Sequence, residues 1–177
     1  LDSRFNLFIM SVLKIIEAPN QLLRKAAKPV KEYNPDVEKL AEDMAETMYA
    51  APGVGLAANQ VSVLKQVLVV DVSRKDEPKN LLVLINPEIV ESEDWEEMEE
   101  GCLSLPDFRQ VIGRAGKIRV AAKNLKGEDI ELFAEGLLAR AIQHEFDHIN
   151  GRLLLDYSNP IKRELYLKKR KKLLKGR

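Results

Sequence analysis

At 177 residues, with 45% apolar and 32% charged side chains, the chain is long enough to bury a core, and its composition is globular rather than disordered. A single cysteine, Cys102, excludes an internal disulfide framework and fits a reducing, cytoplasmic setting, and no apolar run approaches the ~20 residues of a membrane span. The formal charge of zero hides an asymmetry: residues 162–177 hold nine of the 28 basic residues but one of the 28 acids, Glu164, leaving 19 basic against 27 acidic residues elsewhere.

Residues 1–9 read as an upstream extension or a vector-derived remnant, because Met10 would start naturally into an extended Val12–Ile16. Asp2, Arg4 and Asn6 interrupt the segment too often for a signal peptide. Asn20 can cap a single turn over 21–25, and Asn34-Pro35 is an N-cap followed by proline at the first helical position. Val37, Leu40, Ala41, Met44 and Met48 then recur at helical spacing, which predicts a helix to about Ala50, stopped before Pro52. Gly53-Val54-Gly55 marks a loop where backbone approaches something closely, and Gln60 is a neutral donor just beyond it. The loop lacks Gly-Lys-Ser/Thr and a preceding strand, so a nucleotide site is discounted.

Strands are predicted at 66–72, 81–85, 118–123 and 130–133, the last two joined by the turn-rich Asn124–Gly127. The seven acids in 91–100, around Trp95 and Met98, read as a solvated strand edge or hairpin. The final helix opens at Ser158-Asn159-Pro160 and carries the basic tail. That tail is either a polyanion-binding element, RNA being the commonest partner, or a solvated helix end whose lysines complement the helix dipole. No repeat and no linker appears, so one domain is expected over 1–177.

The chemistry lies in Gln143-His144-Glu145-Phe146-Asp147-His148, an H-E-x-x-H sequence inside a helix expected over about 135–149. Residues four apart stand one turn above each other, so both histidines of the chain can hold one metal ion with Glu145 beside it as a general base. The bland alternative is an amphipathic helix with two incidental histidines. Leu137, Ala141, His144 and His148 share one stripe, which sets an apolar pocket next to the metal face. Cys102, between Gly101 and a turn, is the only soft side chain that could complete the ligand set.

Three stretches, Gly53–Gln60, Glu100–Pro106 and Gln143–Gly151, together closely resemble the three motifs of peptide deformylase, in the same order and at similar separations. The likeness runs from about Met10 to Arg163, and the basic tail resembles that of the bacterial form, whose last helix docks on the ribosome near the nascent-chain exit. The resemblance implies an α+β fold, with antiparallel or mixed β-sheets around a central metal-binding helix and further helices at the N- and C-terminal ends. It implies Cys102, His144 and His148 as ligands of one divalent metal, Fe²⁺ natively, with Zn²⁺, Ni²⁺ or Co²⁺ compatible. Glu145 becomes the acid/base, while Gln60 and the Leu103 N–H receive the formyl oxygen. Gly55 would pair with the substrate backbone, Val54, Met98, Leu137 and Ala141 would line the methionine pocket, and Arg109 would lie at its rim. Arg140 stands where some members carry an aliphatic residue.

The expected reaction is hydrolysis of an N-formylmethionyl peptide to formate and a free N-terminal methionine, with Glu145 taking the proton of the attacking water and returning it to the departing amine. Two rivals share parts of the pattern. A zinc metallopeptidase also uses H-E-x-x-H, but its third ligand is usually a downstream Glu or His, and the cysteine here lies upstream. An RNA- or ribosome-binding protein with a structural metal would want a fourth Cys or His, which the chain lacks.

Overall fold

In the computed structural model, which describes residues 11–176, a five-stranded antiparallel sheet is ordered β1-β2-β3-β4-β5 along the chain. The elements are α1 (Pro35–Ala50), β1 (Gly55–Ala57), β2 (Val67–Val70), β3 (Leu82–Cys102), β4 (Leu105–Lys123), β5 (Asp129–Glu135), α2 (Gly136–Ile149) and α3 (Pro160–Lys175), with short 3-10 turns at Gln21–Arg24, Ala58–Val61 and Leu154–Tyr157. Residues 1–9, read above as an extension, fall outside the described part.

β2 is covered on both sides, which explains the uninterrupted Val67-Leu68-Val69-Val70 run. Successive strand side chains point to opposite faces. Leu68 and Val70 therefore pack with Ile142 and Ile149 of α2, whereas Val67 and Val69 pack with Val37, Met44 and Met48 of α1. The side chain of Asn34 accepts from Val37 N at 3.3 Å, a cap of the kind that contributes about 1 kcal/mol. A third cluster joins Ile16, Leu23, Leu105, Phe108, Ile112 and Leu153–Leu155 to Tyr166 and Leu167 of α3.

Three expectations change. Gly55–Ala57, read as loop, is an edge strand paired with Val70–Leu68. The strand expected to end at Asn86-Pro87 bends there and continues to Cys102. Asn86 adopts φ +50 and holds Val30 by both backbone groups, Val30 N donating to its Oδ1 (2.8 Å) and its Nδ2 donating to Val30 O (2.9 Å). The β4 strand starts at Leu105, far before Ile118, so β3 and β4 form one long hairpin. β2 pairs with β3 over Leu82–Ile85, so the hairpin projects beyond the rest of the sheet at its β3 edge.

Helix α3 is not uniformly solvated. Its Arg170 is buried, donates to Ala18 O at 3.3 Å and ion-pairs with Glu17, and Tyr166 donates to Pro106 O at 3.0 Å. Lys168, Lys169, Lys171, Lys172 and Lys175 remain exposed.

Candidate metal centre

Cys102 at the end of β3 and His144 and His148 on α2 bring their ligand atoms within 4.8 Å of one another. Cys102 Sγ lies 3.2 Å from His148 Nε2, and the two imidazole rings stand 5.1 Å apart between centroids. A register shift between Gly101 and Cys102 marks where the strand turns at the cysteine. One thiolate and two imidazoles are a donor set that suits a borderline divalent cation and leaves a coordination position free. Burial, with the neighbouring His144 adding to it, pushes the His148 pKa well below the usual value, toward the neutral form that ligates.

His144 is oriented from behind. Its Nδ1 lies 3.0 Å from Glu100 Oε2, which directs Nε2 toward the cluster. Glu100 is in turn gripped by Arg114, whose Nε donates to Oε1 at 2.7 Å and Nη2 to Oε2 at 3.1 Å. Arg114 also donates to Asp147 Oδ2 at 3.0 Å, and Tyr157 donates to the same oxygen at 2.7 Å. Burial alone would raise the Glu100 carboxyl, but the bonds from His144 and Arg114 outweigh it and hold the group at about 2. Sequence reasoning placed Glu100 in a solvated acidic run; it is 8% exposed. Its position next to Gly101-Cys102 was the available signal.

Glu145 is 4% exposed, and its Oε2 has no hydrogen-bond partner among the described residues. Burial lifts its carboxyl to about 7, opposed only in part by the charges of His144 and Arg114. A carboxyl near neutrality can both take and return a proton. Gln60, 1% exposed, follows β1 in the 3-10 turn. Ala57 N donates to its Oε1 at 2.9 Å, so the amide is turned with Nε2 facing Ser104 Oγ (3.2 Å) and Cys102 Sγ (3.8 Å). The extended segment before the first turn straps these parts together, since Ile16 N donates to Gln60 O and Ala18 N to Ser104 O.

A cleft of about 400 Å³ opens over the cluster. Of the residues singled out in the sequence, Val54, Gly55, Gln60, Met98, Cys102, Leu103, Arg109, Leu137, Ala141, His144 and Glu145 all line it, and His148 lies buried behind them. Val54, Met98 and Leu137 are half exposed and present apolar surface to the opening. Arg140 also lines the cleft, with its guanidinium buried. Leu105, Asp107 and Phe108 join the lining without having been anticipated, because the strand that carries them lacks a clear two-residue period.

Comparison with known proteins supplies an independent line. The family model described as Polypeptide deformylase matches residues 12–164. The chain is 49% identical over 160 residues to a peptide deformylase of Thermodesulfovibrio yellowstonii, covering 90% of this chain and 97% of that one. It is similar to the crystal structure of a peptide deformylase from Legionella pneumophila, with TM-score 0.85 and 41% identity over 94% of this chain and 99% of that one. A peptide deformylase from Ehrlichia chaffeensis in complex with actinonin aligns with TM-score 0.87 and 38% identity, over 92% and 98% of the two chains.

Proposed function

Because the chain belongs to the polypeptide deformylase family, we propose that the Cys102–His144–His148 cluster is its catalytic metal centre and Glu145 its acid/base. The enzyme removes the formyl group from the N-terminal formylmethionine of new polypeptides, releasing formate. The metallopeptidase and the structural-metal readings both give way to that membership. The observation that carries the residue assignment is convergence: Cys102, His144, Glu145 with its unpartnered buried carboxylate oxygen and Gln60 with its oriented amide line one cleft, with His148 buried behind them.

Cys102, His144 and His148 would hold a divalent ion, which when bound would polarise the formyl oxygen and lower the pKa of water. Glu145 takes a proton from the attacking water as the new C–O bond forms, and delivers it to the amine nitrogen as the C–N bond breaks. Gln60 Nε2 and the Leu103 N–H donate to the oxygen on which negative charge develops; the Ala57 bond to Oε1 keeps the Gln60 donor aimed before substrate arrives. Gly55, on the edge strand β1 and in the cleft lining, would offer backbone groups to an extended peptide. Val54, Met98, Leu137 and Ala141 provide apolar surface for the methionine side chain, and Arg109 sits at the rim.

Fe²⁺ is the native ion in this reading, supported by a mixed thiolate–imidazole donor set that admits it; a ferrous–thiolate centre would be sensitive to oxidation. The reading also sets the enzyme in the cytoplasm, at the source of nascent chains; no described helix is long and apolar enough to cross a membrane. The exposed lysines of α3 are the surface offered to the ribosome's polyanionic exit region. Replacing Lys168, Lys169, Lys171 and Lys172 by Gln leaves the Tyr166 and Arg170 anchors intact, so unchanged ribosome affinity at low salt would remove that partner.

The decisive experiment is formate release from formyl-Met-Ala-Ser by protein purified without oxygen, with metal counted in the same sample. Rapid release with one metal per chain, predominantly iron, supports the whole reading. Release with another metal keeps the site and corrects the ion.

A further inference from the structure

Arg140 lines the cleft, and the reaction gives it no role. Its guanidinium is buried and distributed over three acceptors on two strands. Nη1 donates to Glu100 Oε1 at 2.7 Å and to Ile112 O at 3.3 Å, and Nη2 donates to Glu96 O at 2.8 Å. Burying a guanidinium costs several kcal/mol unless such acceptors offset it, so the arrangement needs a reason.

Neutralising Glu100 is not that reason. Arg114 already meets the Glu100 carboxylate with two bonds and reaches Asp147 as well. Only Arg140 supplies the two main-chain bonds, to Glu96 and Ile112. The pairs Glu96↔Arg114, Met98↔Ile112 and Glu100↔Gln110 run without a bulge, so Glu96, Met98 and Glu100 share one face of β3. Met98 therefore lies between the two points at which Arg140 grips β3, directly across from the third grip on β4. The β3 edge beyond Glu88 has no further strand beside it among the described residues. A two-stranded arm with one bare edge is marginal in stiffness by itself.

We propose that Arg140 is a positioning residue that sets side-chain selectivity: it ties the Met98 segment of the hairpin to the helix carrying the histidines and so holds the width of the apolar pocket. The inference rests on the deformylase reading of the cleft. An arginine serves here because one planar fork reaches carboxylate and carbonyls together, which neither an aliphatic residue nor a single ammonium does.

The test compares kcat/KM for formyl-Met-Ala-Ser and formyl-Leu-Ala-Ser in the wild type, Arg140→Met and Arg140→Lys, with metal per chain measured for each. Arg140→Met keeps a stem of similar bulk without the bonds; Arg140→Lys keeps the charge beside Glu100 but cannot hold both carbonyls, and it carries the test if the first variant fails to fold. The Met-over-Leu ratio is expected to fall about tenfold, the size of effect a change in pocket fit produces, with the loss on KM for the Met peptide exceeding that on kcat and metal content retained. An unchanged ratio, with both substrates declining together, makes Arg140 merely structural and overturns the proposal, as does a wild-type ratio in Arg140→Lys. No formate from either peptide with metal-loaded wild type overturns the functional reading itself.

Discussion

Gly55 and Glu145 touch so closely that a Cβ on Gly55 would lie 2.5 Å from Glu145 Oε1 and 2.9 Å from its Cγ. The glycine of the first motif is thus the seat of the glutamate of the third. Gly55→Ala has to displace the carboxylate, and displacement of a catalytic group by about 1 Å costs roughly 100-fold in rate. The expected result is that loss in kcat with metal content unchanged, read from steady-state formate release and metal analysis on the same preparation.

Glu145→Gln removes the proposed proton carrier while preserving shape. The variant should bind metal as the wild type does and lose about 10²–10⁴-fold in turnover. Normal turnover in this variant would take the acid/base role away from Glu145.

Glu100→Gln tests the support behind His144. A neutral amide cannot satisfy Arg114 and Arg140 together, and a buried charge left without its partner destabilises by about 3–5 kcal/mol. Loss of a partner that orients a ligand histidine lowers metal affinity by about 10–100-fold. Chelator competition followed by thermal melting should show both effects; retention of wild-type metal affinity would dissociate Glu100 from the site.

Tyr166 gives an alkaline test of the α3 anchor. Burial raises its hydroxyl from 10.0 to about 12, with Arg170 opposing. A raised pKa means the folded state keeps its proton longer, so the contribution is fully present below pH 10 and fades as the pH climbs through about 12. Melting temperature between those values should fall less steeply in Tyr166→Phe than in the wild type. Identical slopes would mean that burial does not raise the Tyr166 hydroxyl in the folded state.

Much of this protein was legible along the chain because the relevant physics is local. Asn34-Pro35 specified a helix start within one turn, the four-residue step from His144 to His148 put two imidazoles on one face, and the apolar run at Val67–Val70 announced a buried strand. Cys102 is the chain's single thiol, which made it the candidate third donor beside the two imidazoles.

Other features depended on distant partners. Glu100 carries the same side chain as the solvated Glu93, Glu97 and Glu99, and its carboxylate can be buried because Arg114 arrives from the neighbouring strand to neutralise it. The acids of 91–100 were legible as a solvated strand edge or hairpin, but the continuity of β3 and β4 through that stretch was not, because its outward acids and exposed Trp95 give no burial period and long-range backbone pairing holds it. Gly55 announced a close approach without saying to what; the 90 residues separating it from Glu145 close only when β1 settles beside α2. Local spacing determines which residues share a face of one element. Which faces meet, and which charges are thereby stripped of water, is decided by packing, and in this protein that packing brings Cys102, His144 and His148 together and sets Glu100 behind His144.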